Sequence, residues 1–156
     1  MTIPEPVALY LTFNLPLIIK LLLAVGLGAV IGTERTLAHK MAGMRTYAFV
    51  SLGSCLLVLI SLLATKEFIG FTNFDPMRMA AGIVMGIGFL CGGIIIYHND
   101  RIIGVTTAAG LWVANGIGIA VAFGYFTIAI VTTILALFIF STLWGVEEQM
   151  RKEAAE

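Results

Sequence analysis

The residues able to do chemistry are few, and they stand in short polar links between apolar runs long enough to cross a bilayer. Glu34 and Arg35 lie in the link TERTLAHKMAGM, residues 33–44, and Arg45 opens the next apolar run; Asp100 and Arg101 lie in a later link, with Thr106 and Thr107 just beyond it. Glu34 and Arg35 can bind a cation or an anion, or they can hold helix ends together with Arg45 and Asp100. Ionisable groups at membrane edges are commonly paired, so the structural role is the leading expectation, with Glu34 as the partner of Arg45. Asp75 and Arg78 form a separate charged motif at the start of another run. Asp75-Pro76 reads as a helix start, with the carboxylate accepting from first-turn N–H groups and proline filling the first helical position; an external ion or partner site is the competing reading. Asn115 sits in the middle of an apolar run. An amide at that depth is costly unless it bonds across helices, so it reads first as interhelical glue and second as a substrate contact. Trp112, three residues earlier, is too deep for an interfacial belt and reads as packed core.

Other motifs fail on inspection. Gly86 to Gly92 imitates a dinucleotide fingerprint, but the spacing is G-x-G-x-x-x-G and no strand precedes it. No GKS or GKT loop is present, which excludes an ATP-driven pump within this chain. His39 and His98 lie in different links without clustered partners, leaving nothing for zinc or a hydrolytic triad. Cys55 and Cys91 each lie inside an apolar run and read as small core residues, a disulfide between helices being the alternative. The net charge is zero, which removes the electrostatic case for nucleic acid. The chain reads as no enzyme, and nothing in it asks for a cofactor.

The elements that must position these residues are helices in lipid. The chain is 60% hydrophobic and 12% charged, with a mean hydropathy of +1.03, which marks an all-α polytopic membrane protein. Residues 1–14 contain no Lys or Arg, so the first run lacks the positive region of a signal peptide and is expected to stay as a span. Five spans are expected at about 16–32, 45–64, 77–97, 105–122 and 125–144, followed by a short tail, 146–156. The first is expected to open at Pro16, with Lys20 snorkelling to the near interface. Tyr125 and Trp144 are expected as interfacial anchors of a lipid-facing last span. One side then holds Arg35, Lys40, Arg45, Arg101, Arg151 and Lys152, the other only Lys66 and Arg78. The positive side marks the cytoplasm, placing the N-terminus outside and the C-terminus inside, and gathering Glu34, Arg35, Arg45, Asp100, Thr106 and Thr107 at cytoplasmic helix ends.

Glycine supplies the packing logic. Each glycine costs a helix about 1 kcal/mol against alanine, yet the runs are full of them, because close backbone approach drives association in lipid. Gly28 and Gly32 lie in a row with Ala24; Gly82, Gly86 and Gly93 share one strip of the third helix and Gly88 and Gly92 another; Gly110 and Gly118 lie in a row with Thr106 and Ala114. A third helix with two smooth strips is expected to sit between two partners.

LGAVIGTER, MAGMRTYAFVSLGS, DPMRMAAGIVMGIGFLCGGIII and IIGVTTAAGLWVANGIGIAVAFGY resemble, in order and spacing, the signature blocks of the MgtC/SapB family of bacterial inner-membrane proteins. The resemblance runs from about Leu21 to Tyr125. It implies about five transmembrane helices and a role in virulence or in adaptation to low magnesium and acid, with restraint of the proton-driven ATP synthase as one reported mode of action. The best-known members of that family carry a soluble C-terminal domain after the last helix, and its counterpart is expected to be missing here. Where virulence-linked members have an important asparagine, this chain has Thr106, whose hydroxyl lacks an amide's paired donor and acceptor.

Two functional classes follow. One is a non-enzymatic regulator that packs through glycine-lined faces against a membrane partner or a second copy of itself. The other is a transporter or channel for a divalent cation such as magnesium, with Thr106, Thr107 and Asn115 supplying oxygens. Cation paths normally leave carboxylates in mid-membrane, and here every carboxylate lies at or beyond a helix end, which favours the regulator.

Overall fold

The structure is a computed structural model that describes residues 5–67, 75–98, 100–143, 145 and 149–150, with side chains in the first stretch from residue 14 to 66. Its elements are α1 (Glu5–Leu37), α2 (Met44–Glu67), α3 (Pro76–Ile94), a hairpin of β1 (Ile96–His98) and β2 (Arg101–Ile103), α4 (Val105–Phe123) and α5 (Phe126–Phe138). A turn of π-helix, Ile139–Leu143, continues α5. Five helical stretches among the described residues are long and apolar enough to cross a membrane.

The bundle is organised around α4, which packs against α1, α2, α3 and α5 and is 56% buried, while α3 at the edge is 11% buried. The glycines explain why α4 can take that place. A Cβ added to Gly118 would collide with the Ser51 carbonyl, and one on Gly110 with the Tyr47 hydroxyl and the Phe140 ring. On α1, a Cβ on Gly28 would stand 2.6 Å from the Tyr47 carbonyl oxygen and one on Gly32 2.5 Å from Met44 Cα. These four glycines let α1 and α4 lie directly against the backbone or core side chains of α2. The strips of α3 behave differently: Gly82, Gly86, Gly88, Gly92 and Gly93 have nothing within 4 Å of an added Cβ. Within this chain α3 therefore does not lie between two partners. It packs by Ala80, Ile83, Cys91 and Ile94, residues on one helical face, and turns both glycine strips away.

Several sequence expectations are corrected by the helix bounds. α1 runs from Glu5, with Pro16 inside it; loss of one helical hydrogen bond is tolerated within a long apolar helix. Lys20 consequently lies within α1 rather than in its first turns. Its ammonium donates to the Ala122 carbonyl at 2.7 Å, where the end of α4 leaves an acceptor without a helical partner. Trp112 is 53% exposed on the outer side of α4, not packed core. α3 stops at Ile94 rather than residue 97, and Ile96–His98 pairs antiparallel with Arg101–Ile103, with Asp100 at φ 59° and its carboxylate accepting from the Tyr97 hydroxyl at 3.0 Å. Tyr125 is exposed at the start of α5; Trp144 and most of the tail lie outside the described residues.

The hairpin closes onto α4 through Gly104, at φ 91°, where a Cβ would strike the Ile94 carbonyl. Both the left-handed backbone and the contact exclude a side chain. Gly104→Ala is expected to lower the thermal unfolding midpoint in detergent by several degrees, whereas alanine at Gly116, which meets nothing, is expected to leave it unchanged or raise it.

Candidate functional site at the basic end of the bundle

α1 ends in a left-handed turn that holds its last residues in place. His39 adopts φ 53°, its N–H donates to the Thr36 carbonyl at 3.1 Å, and the Lys40 N–H reaches the Arg35 carbonyl at 3.0 Å. Thr36 ties the link to α2 by accepting from the Met44 N–H at 2.9 Å. This fixes Glu34 and Arg35 beside α2, α4 and α5.

Arg35 is the one charged residue buried among the described residues, 3% exposed. Its guanidinium forms a two-toothed ion pair with Glu34, through Nε to Oε2 and through Nη2 to Oε1 at 2.6 Å. The same group lies 3.7 Å from the centroid of the Phe140 ring and donates to the Phe140 carbonyl at 3.4 Å. The π-helical turn presents both ring and carbonyl, because widening the helix redirects its carbonyls. Beside them the Tyr47 hydroxyl donates to the Thr107 carbonyl at 3.3 Å, tying α2 to α4. Arginine suits this position: its plane stacks on an aromatic face while its edge grips a carboxylate.

The predicted polar cluster is only partly assembled. Glu34 pairs with its neighbour Arg35 and not with Arg45, which is exposed and has no partner among the described residues. Asp100 is held in the hairpin by Tyr97, apart from Glu34. Thr106 is exposed; Thr107 is buried and contributes its backbone carbonyl to Tyr47. The expected Glu34–Arg45 bond fails because the first turn of α2 points Arg45 outward while Tyr47 points in. At the opposite end Asp75 caps α3, accepting from the Met77 N–H at 2.9 Å, and Arg78 is exposed.

Midway through the bundle a second polar contact crosses from α2 to α4. The Ser54 hydroxyl lies 2.6 Å from Asn115 Oδ1 and 2.8 Å from the Val50 carbonyl, so its single hydrogen is shared between two acceptors. Asn115 Nδ2, Ser51 Oγ and Ser61 Oγ are buried with no hydrogen-bond partner among the described residues. Cys55 and Cys91 are free thiols, donating to the carbonyls of Lys20 and Ala108. Among the described residues no cluster of His, Cys, Asp or Glu has metal-binding geometry.

Sequence reasoning missed Tyr47, Ser51, Ser54 and Phe140. The first three were accessible in principle: Tyr47, Ser51, Ser54 and Ser61 fall on one stripe of α2 at helical spacing. Phe140 carries no such signal, being 105 residues from Arg35.

Among the described residues, four membrane-length helices around a fifth, glycine-lined central helix, with a Glu-Arg pair at one end whose arginine is buried, define a polytopic membrane protein of the helical class. The sequence profile of the MgtC family matches residues 21–149, and the chain belongs to that family. It is 41% identical over 122 residues to the protein MgtC of Salmonella typhimurium, covering 78% of this chain and 50% of that protein. A putative magnesium transporter, YhiD, of Escherichia coli is 37% identical over 131 residues, covering 81% of this chain and 61% of that protein. An uncharacterised protein of Haemophilus influenzae is 40% identical over 134 residues, covering 83% and 56%. The chain thus spans about half the length of the curated relatives it matches. No solved structure matches it.

Removing one partner of a buried ion pair strands the other, which costs about 3–5 kcal/mol for a fully buried pair. The Glu34 side chain keeps 23% exposure, so Arg35→Ala is expected to cost on the order of 2–3 kcal/mol, and Arg45→Ala less than about 0.5 kcal/mol. Unfolding of both variants in mixed micelles checks the contrast; equal losses would place the structural charge wrongly.

Proposed function

We propose that the protein is a non-enzymatic membrane regulator in magnesium or acid stress adaptation, acting by packing the outer face of α3 against a transmembrane helix of a partner complex. The observation that carries this reading is the state of the α3 glycines. Gly28 and Gly32 of α1 and Gly110 and Gly118 of α4 are occupied by internal contacts, whereas Gly82, Gly86 and Gly93 on one flank of α3 and Gly88 and Gly92 on the other face outward. Between the flanks stands a ridge of Met85, 75% exposed, and Phe89, 91% exposed. A helix that carries five glycines toward lipid gives up helix stability without internal gain, and a closely packed partner helix supplies that gain. The family resemblance makes the proton-driven ATP synthase the first partner to examine. Inner-membrane residence with the N-terminus outside accords with the basic residues Arg35, Lys40, Arg45 and Arg101 at one end.

Magnesium transport is the second reading, favoured by the name given to the Escherichia coli relative. Against it, the described carboxylates Glu34, Asp75 and Asp100 lie at helix ends or in the hairpin, with none at mid-membrane, where a cation pathway would place them.

A photo-crosslinking residue at position 89, compared with one at Ile128 on the exposed side of α5, tests the regulator reading in cells. A discrete adduct with another membrane protein from position 89 and none from 128 is expected. Equal labelling from both, or adducts only with a second copy of this chain, would contradict it. Magnesium flux into proteoliposomes above that of empty vesicles would favour the transporter.

A further inference from the structure

At the basic end of the bundle, α2 and α3 diverge around an open groove of about 550 Å³ lined by Arg45, Thr46, Phe49, Val50 and Leu90. Its lining is divided by chemistry. The rim is cationic and hydrogen-bonding, formed by the first turn of α2, and the floor is apolar, formed by Phe49, 70% exposed, and Val50 on α2 and by Leu90, one turn before the end of α3.

The rim is also unsatisfied. Arg45 makes no ion pair or hydrogen bond among the described residues, and the Thr46 hydroxyl makes none either. At the start of α2 the Met44 N–H is taken by Thr36 and the Tyr47 N–H by the Gly43 carbonyl. The N–H groups of Arg45 and Thr46 lie between these two, with no residue a full turn before them inside the helix to accept from them, and so belong to the positive end of α2. A guanidinium, a hydroxyl and a positive helix end thus share one rim, and each favours an anion.

We infer that this groove is a binding site for one anionic phospholipid, its phosphate held by Arg45 and Thr46 and an acyl chain lying along Phe49, Val50 and Leu90. The charge of the rim selects the headgroup, and the floor selects an amphiphile over a free anion. Basic pockets between transmembrane helices take anionic headgroups on the same grounds, and arginine grips phosphate with two parallel hydrogen bonds. The glycine strip of Gly82, Gly86 and Gly93 lies beside the Leu90 edge of the groove, so the lipid borders the face assigned to a partner. The inference does not depend on that partner.

The test is native mass spectrometry of the full chain in detergent, titrated with phosphatidylglycerol, phosphatidylcholine or inorganic phosphate. The unaltered chain is expected to retain one phosphatidylglycerol at least ten-fold more tightly than phosphatidylcholine, with millimolar phosphate failing to displace it. Arg45→Gln is expected to abolish the preference. Arg101→Gln, which removes an exposed charge in the hairpin at the same end, is expected to preserve it. Phe49→Glu, which sets a carboxylate over the floor without disturbing a buried residue, is expected to abolish it too and serves if Arg45→Gln fails to fold. Equal retention of the two lipids, equal effects of Arg45→Gln and Arg101→Gln, or full displacement by phosphate would each overturn the proposal.

Discussion

The structure depends on backbone contact between helices at positions that admit no side chain. In lipid, apolar burial gives helices no reason to associate, so contact must come from close packing and a few hydrogen bonds. Gly118 against the Ser51 carbonyl, Gly110 against Tyr47 and Phe140, and Gly28 and Gly32 against the backbone of α2 supply that contact. Once α4 is this near α2, Asn115 can reach Ser54 and Tyr47 can reach the Thr107 carbonyl. The hydrogen bonds are thus a consequence of the glycines, and removal of the space would remove both.

The buried Glu34–Arg35 pair completes this arrangement at the basic end. The buried residues of α5 are small, Ala129, Thr133 and Ala136, and its end is secured by Arg35 stacked on Phe140. A charge this buried is tolerated because its positive plane faces a ring and its edge meets a carboxylate and a carbonyl. Arg45, ten residues later, lacks such partners and faces outward. The two arginines therefore do different work: one closes the bundle and the other is free to meet what surrounds it.

How much of this was legible in the sequence follows from the range of each interaction. The bounds of α4 were readable because Gly104 and Gly124 interrupt the apolar run at both ends, and the start of α3 because Asp75-Pro76 is a local signal. The start of α1 was misread because Pro16, which suits a first turn, also survives within a membrane helix. The end of α3 was overrun because GIIIYH continues the apolar pattern, and only antiparallel pairing with Arg101–Ile103 shows it to be a strand. The pairing of Glu34 lay beyond reach in a different way. Sequence gives the face on which Arg45 lies relative to its own helix, but not the rotation of α2 against α1, and that rotation chose Tyr47 to point inward. The glycine rows were visible, yet which of them faced a neighbour depended on the tertiary position of α3 at the edge of the bundle.

The separation of glycines into those that build the fold and those that face outward is the central claim, and a leucine scan measures it most directly. Each of Gly28, Gly32, Gly82, Gly86, Gly88, Gly92, Gly93, Gly110 and Gly118 would be replaced in turn and the yield of folded, monodisperse protein extracted from membranes recorded. The account predicts collapse of that yield at positions 28, 32, 110 and 118 and near-normal yield at the five positions on α3. Loss of folded protein from the α3 substitutions, or tolerance of leucine at Gly118, would contradict it.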